Sequence, residues 1–86
     1  MSRPVYLLPN LGRATAWRLA EVGIETEDDL RALGAAATYR RLKHAFPRDT
    51  SLNALWALAG ALRGVHWLNL TPEEKAALKA EAGLPP

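Results

Sequence analysis

The sequence has no cysteine and only two histidines among its 86 residues. The lack of cysteine excludes disulfide bonds, thiolate metal ligands and cysteine nucleophiles. His44 and His66 are far apart in the chain, and neither has a carboxylate nearby at the spacing of a metal site. The sequence therefore predicts no bound metal and no cofactor, and His66 is predicted to anchor a loop beside Trp67.

Long apolar runs and strand-like alternation are also missing. The most apolar helical segment, residues 52–62, is far shorter than the ~20 residues that cross a bilayer. No basic start leads into an apolar run as in a signal peptide, and no stretch alternates long enough to predict a strand. These absences predict an all-α protein of the cytoplasm that has no membrane partner.

The length and charge of the chain describe a small globular protein. We predict one domain over residues 1–86, at a size where stability becomes marginal. The formal charge is +2, but residues 25–34 carry four acidic side chains and one basic, and residues 35–50 carry four basic and one acidic. Such segments are usually solvated helix faces, although the basic one can also attract an anionic partner.

Apolar residues at helical spacing predict five short helices in a compact bundle. The fourth helix has the broadest apolar face and is predicted to be central, with Gly60 leaving room for another helix to come close. The helices are separated by residues that start or stop a helix: Gly23, Thr26, Gly34, Pro47, Ser51, Gly64, Thr71 and Gly83.

The segment LPNLG, residues 8–12, has the form of a turn that binds phosphate. In a helix-hairpin-helix, the turn h-P-G-h-G presents backbone N–H groups at the start of a helix, where the helix dipole favours an anion. Four of the five positions match, and Asn10 in place of the first glycine tolerates positive φ. The preceding segment is too short for a leading helix. The turn therefore either binds phosphate through Leu11, Gly12 and Arg13 or only starts the first helix.

Basic residues of the third helix are the second set of predicted phosphate contacts. Arg40, Arg41 and Lys43 lie on the face opposite its apolar residues, and Arg48 follows the helix. A phosphate track requires that they converge with Arg13 on one face of the molecule, whereas a solvated bundle does not.

Trp17 lies on the side of the first helix opposite its apolar stripe, one turn after Arg13. It is either covered within the fold, in a pocket made by Val5 and Tyr6, or it contacts another molecule. That molecule is most simply a second copy of the chain, and a partner protein or a base of a nucleic acid are the other options.

The motifs occur in an order that resembles one known family. The segments LPNLG, LAEVGIETEDDLRALGA, YRRLK, SLNALWALAGALRGVHW and LTPEEKAAL are similar to the C-terminal domain of the TfoX family of bacterial competence regulators, over about residues 4–82. The resemblance implies a small bundle related to helix-hairpin-helix and SAM-like domains, and it implies no catalytic residues. Members that also carry a TfoX N-terminal domain, which this sequence lacks, are linked to positive regulation of competence genes.

These observations predict a regulatory binding module and not an enzyme, since no acid–base pair, metal set or phosphate-loop lysine motif is visible. The leading hypothesis is weak, nonspecific nucleic-acid binding linked to transcription and competence. The alternative is a protein-interaction or dimerisation module that binds no nucleic acid. The predicted partners are DNA, through phosphate contacts, and a regulatory protein or a second copy of the chain. No small-molecule substrate is predicted.

Overall fold

Five α-helices joined by short turns make up the computed structural model, which describes residues 2–85. The helices are α1 (Arg13–Glu21), α2 (Glu27–Leu33), α3 (Ala35–Ala45), α4 (Leu52–Arg63) and α5 (Pro72–Glu81). Two single turns of 3-10 helix, Val5–Leu7 and Trp67–Asn69, precede α1 and α5. The predicted all-α five-helix fold is confirmed, and none of the described helices combines the length and apolarity needed to cross a membrane.

The core is organised around α4, as its broad apolar face predicts. Leu55 and Leu58 are completely buried, and α4 packs against α2, α3 and the second 3-10 turn. Trp56 is also buried, and the ammonium group of Lys75 on α5 lies 5.5 Å from the centre of its ring. This contact holds α5 against α4 by a cation–π interaction.

The helix stops follow the predicted glycines because a left-handed residue there satisfies the last carbonyl groups. At the end of α1, Gly23 has φ of 87° and its N–H donates to Ala20. The N–H of Ile24 donates to the carbonyl oxygen of Leu19 at 2.8 Å. This pair of bonds is the Schellman motif, and it turns Ile24 back into the core.

The helix starts are capped in different ways. Two helices have a capping box, in which threonine and an acidic residue bond to each other's backbone: Thr26 with Asp29 in α2, and Thr71 with Glu74 in α5. Ser51 precedes α4 as predicted, but its side chain makes no capping hydrogen bond. Gly12 precedes α1 and has no side chain with which to cap it.

The segment before the first turn is tied to the start of α2. The N–H of Val5 donates to Glu25, and the N–H of Glu27 donates to the carbonyl oxygen of Arg3 at 2.7 Å. A single 3-10 turn therefore stands where a complete helix-hairpin-helix has its leading helix. The expectation that no leading helix forms in this segment is confirmed.

Candidate functional site

The turn before α1 is held in place by the side chain of Asn10. This residue has φ of 72°, as its place in the turn predicts. Its amide nitrogen donates to the carbonyl oxygens of Val65 at 3.0 Å and Ala57 at 3.3 Å, and its amide oxygen accepts from the N–H of Trp67 at 3.2 Å. Asn10 thus joins the turn to α4 and to the loop that follows it.

Gly60 provides the space for this arrangement. A Cβ atom at position 60 would lie 2.6 Å from Nδ2 of Asn10 and 2.8 Å from the carbonyl oxygen of Val65. The prediction that Gly60 admits another helix is wrong, because its neighbours are the Asn10 side chain and the backbone of residues 65–67. The glycine in the last turn of α4 therefore sets the position of the turn that begins α1.

Gly12 faces open space instead. Its φ of −91° and ψ of −174° are accessible to any residue, and nothing lies within 4 Å of the position of a Cβ atom. The first turn of α1 also contains no acidic residue. No contact in the described fold requires glycine here, and the backbone N–H groups that begin α1 are accessible to a ligand.

Two of the predicted phosphate contacts are engaged within the fold. Nη1 of Arg41 donates to the carbonyl oxygen of Val22 at 3.2 Å, at the end of α1. Nζ of Lys43 donates to the carbonyl oxygens of Pro47 and Thr50, each at 2.9 Å. Both cations therefore satisfy carbonyl groups at the ends of helices or in the following turn.

The other predicted cations have no such partners. Arg13, Arg40 and Arg48 are exposed, and none forms a hydrogen bond or ion pair with another residue in the 2–85 range. The remaining arginines include Arg3 and Arg31, which both bind Glu27, at 3.0 and 2.8 Å; Arg63 pairs with Glu74 in the same way.

The predicted cations occupy two neighbouring surfaces. Arg40 and Arg41 share a shallow groove with His44 beside the end of α1, and no carboxylate lines that groove. Arg13 lies at the other end of α1, and Arg48 lies in the turn after α3. This groove thus groups Arg40 with Arg41 and includes neither Arg13 nor Arg48.

Trp17 lies in the middle of α1 and is 61% exposed. Its ring packs against Phe46, with ring centres 6.1 Å apart and planes tilted by 53°. Tyr6 lines a separate groove with Ala20. The interpretation in which Val5 and Tyr6 cover Trp17 is therefore wrong, because the indole ring turns toward the end of α3.

We define the Trp17 face as Arg13, Trp17, Phe46 and Arg48. Arg13 precedes Trp17 by one turn of α1, which places the two side chains on the same side of the helix. Arg48 lies in a turn that opens at Phe46 and is closed by a bond from the N–H of Asp49 to the carbonyl oxygen of Phe46, 3.2 Å long. The exposed aromatic ring therefore shares its helix face with Arg13, and Arg48 lies in the turn that follows its neighbour Phe46.

A polar cavity of about 400 Å³ lies next to this face, between the starts of α1 and α4. Its lining includes Arg18, which the sequence did not single out, together with Asp49 and His66. The opposite charges of Arg18 and Asp49 favour no single class of ligand.

His66 has the structural role predicted for it. Its Nδ1 accepts from the N–H of Leu68 at 3.2 Å, and its ring stacks on Trp67 with centres 5.8 Å apart. Neither histidine belongs to a group of three or more side chains that could hold a metal ion, as far as residues 2–85 are concerned.

The fold and this face define a small all-α domain with an aromatic and cationic surface along its first helix. Residues 1–82 match the sequence profile of the TfoX C-terminal domain. The chain belongs to the TfoX C-terminal domain family.

A curated relative is the DNA transformation protein TfoX1 of Aliivibrio fischeri, which is 31% identical over 71 residues. The match covers 83% of this chain and 34% of that protein, so the chain spans about a third of the relative's length.

Two crystal structures of Listeria monocytogenes proteins have the same fold. An uncharacterized protein in a triclinic form is 29% identical, with a TM-score of 0.82 over 88% of this chain and 85% of that one. A protein of unknown function in a tetragonal form is 28% identical, with a TM-score of 0.81 over 91% and 95% of the two chains.

Proposed function

We propose that this domain is a regulatory binding module of a competence-related system and binds nucleic acid weakly, without sequence preference, through phosphate contacts. The observation that carries the proposal is the unpaired, exposed state of Arg13 and Arg48 among the described residues. The relative described as a DNA transformation protein also supports a role that involves nucleic acid.

The unpaired arginines matter because a cation that has no internal partner loses nothing within the fold when it binds a phosphate. Arg3, Arg31 and Arg63 would each have to leave a carboxylate. Arg13 and Arg48 instead exchange only water and counterions, and release of counterions from the nucleic acid favours binding. Phosphate contacts of this kind carry no sequence information.

The start of α1 adds backbone donors to the same contact. The N–H groups that follow Gly12 point out of the helix end, and the helix dipole favours an anion there. Because Gly12 has no side chain, a phosphate can approach these groups closely. Leu11 is 3% exposed and therefore supports the turn from inside while its backbone remains next to Gly12.

Salt dependence is the test of this proposal. With three or four phosphate contacts, the logarithm of the affinity for a labelled duplex should fall with the logarithm of salt concentration at a slope of about −3. Arg13→Ala and Arg48→Ala should each reduce that slope by about 1. Arg31→Ala is the matched control, since Arg31 is bound to Glu27, and should leave the slope unchanged. Absence of binding in fluorescence anisotropy even at low salt would contradict the proposal.

Gly12→Ala tests the role of the turn separately. We expect weaker binding and nearly unchanged melting temperature, because the new methyl group enters open space on the ligand side. A folded variant that binds as tightly as the parent would show that the turn only starts α1.

The second candidate function is a protein-interaction or dimerisation module, favoured by the 61% exposure of Trp17. A domain of this kind would bind no nucleic acid at low salt and would associate with a regulatory protein or with itself. Sedimentation over a range of protein concentrations tests self-association directly.

A further inference from the structure

We propose that Trp17 stacks on an unpaired base, so that the Trp17 face prefers single-stranded nucleic acid to a duplex. This inference rests on the proposed function and specifies the ligand of the same surface. Phosphate contacts alone predict no such preference, because a duplex carries the denser charge. The preference would have to come from the aromatic ring.

The position of the ring suits stacking. Phe46 supports the indole of Trp17 at 6.1 Å with tilted planes, yet 61% of the residue remains exposed. A ring braced by a neighbour loses less rotamer freedom when it binds than a free side chain does. Base–aromatic stacking is also tolerant of sequence, because every base has a π-face.

The charges around the ring match the backbone of a single strand. Arg13 lies one helical turn before Trp17, and Arg48 lies in the turn that opens at Phe46. A base that stacks on Trp17 brings its own flanking phosphates toward these arginines. Single-strand-binding proteins combine the same two elements, a cationic surface and aromatic platforms.

Two carboxylates border the face and limit its affinity. Glu21 follows Trp17 by one turn of α1, and Asp49 follows Arg48. Neither forms an ion pair with Arg13 or Arg48 in the described part of the chain. The arginines therefore keep their charge available, while the nearby carboxylates limit the affinity.

A second copy of the chain fits this face less well. An aromatic side chain buries about 150–250 Å², whereas a stable interface needs about 800 Å² from each partner. A duplex fits poorly for a different reason, since its bases already stack on one another.

Three labelled ligands with the same length and number of phosphates in each strand separate stacking from charge. These are an oligothymidylate, an abasic oligomer and a duplex, each titrated at low salt by fluorescence anisotropy. We expect the oligothymidylate to bind about tenfold more tightly than the abasic oligomer. Trp17→Ala should abolish this difference without affecting the affinity for the abasic oligomer, and Trp17→Phe should retain most of it.

Leu68→Ala is the matched control because Leu68 is 66% exposed on the second 3-10 turn and does not belong to the Trp17 face. It should leave all three affinities unchanged, and a thermal melt verifies that each variant is folded. Equal affinity for the base-bearing and abasic strands would overturn the stacking inference and leave the proposed function intact. Failure of all three ligands to bind at low salt would overturn both. A parent dimer that becomes monomeric in Trp17→Ala, with unchanged affinity for oligothymidylate, would assign the face to a second copy.

Discussion

At the start of α2 the chain satisfies its own polar groups, whereas at the start of α1 it leaves them to solvent. Thr26 and Asp29 bond to each other's backbone, and Glu27 binds two arginines. At the other start, Gly12 provides no cap and Arg13 has no partner among the described residues. The same domain can therefore build a closed helix start, and no contact among the described residues requires the open start of α1.

The start of α2 and the turn before α1 are also stabilised by different kinds of contact. The start of α2 is stabilised by residues next to it in sequence, as capping boxes are. The turn before α1 is stabilised from a distance, by Asn10 and by the space over Gly60. Substitutions should therefore affect the two regions through different contacts, and four predictions test the difference in order of expected effect.

Gly60→Ala should have the largest effect on stability. The methyl group would meet Asn10 and the carbonyl oxygen of Val65 at distances that real contacts do not reach. Overpacking of this kind costs about 1–3 kcal/mol, which corresponds to a fall of roughly 4–24 °C in the melting temperature. Gly12→Ala is the matched control and should change it by only about 1–3 °C, because its methyl group meets nothing. Equal losses in the two variants, measured by thermal denaturation, would remove the distinction between these glycines.

Thr26→Ala should cost about 1 kcal/mol, the usual contribution of a capping side chain. Gly12→Ser introduces a capping side chain at the start of α1 and should leave stability unchanged or slightly higher. Urea denaturation of both variants compares the closed start with the open one. A loss of stability in Gly12→Ser would show that the open start is required by the fold.

The loss of folding stability at low pH should depend on the acidic residues at the capped starts of α2 and α5. Backbone N–H groups of Glu25 and Thr26 hold the pKa of Asp29 below its ordinary value of 3.8. Hydrogen bonds from Arg3 and Arg31 hold the pKa of Glu27 below 4.5, and the backbone of Thr71 has the same effect on Glu74.

A carboxylate with a lowered pKa in the folded state stabilises the fold above its unfolded pKa. Stability from these groups should therefore be complete above about pH 5 and decline as pH falls below about 4.5 through the folded pKa values. The effect should be small because the groups are exposed to solvent. Asp29→Asn should lower stability at pH 7 and converge with the parent near pH 2. If the difference in stability between the parent and Asp29→Asn stayed constant from pH 7 to pH 2, the pKa of Asp29 would not be lowered by folding.

Arg41→Ala and Arg13→Ala should differ only slightly in stability. Arg41→Ala should lower stability more, whereas Arg13→Ala should weaken nucleic-acid binding more. Arg41 donates to the last turn of α1, so its loss should cost up to about 1 kcal/mol. Arg13→Ala should stay within about 0.5 kcal/mol of the parent, although it weakens nucleic-acid binding more. If Arg13→Ala lowered the melting temperature more and Arg41→Ala weakened nucleic-acid binding more, the functional cation would be Arg41 on α3.

The predictable parts of this structure are those set by neighbours in sequence. The helix stop at Gly23 and the helix starts at Thr26 and Thr71 were evident because each involves residues within five positions. The contact of Trp17 with Phe46 and the clearance over Gly60 depend on how distant segments pack. No periodicity encodes such contacts, so the sequence placed Trp17 opposite the apolar stripe but predicted neither its exposure nor its neighbour.

The hydrogen bonds of Asn10 also constrain the order in which the domain folds. They join positions separated by 47, 55 and 57 residues, and contacts of such range form only after a large loop has closed. The amide proton of Trp67 is sequestered by Asn10, and its exchange with solvent therefore reports when the opening turn leaves α4. We expect that proton to exchange through a local opening, before the amides in the middle of α4, which require global unfolding.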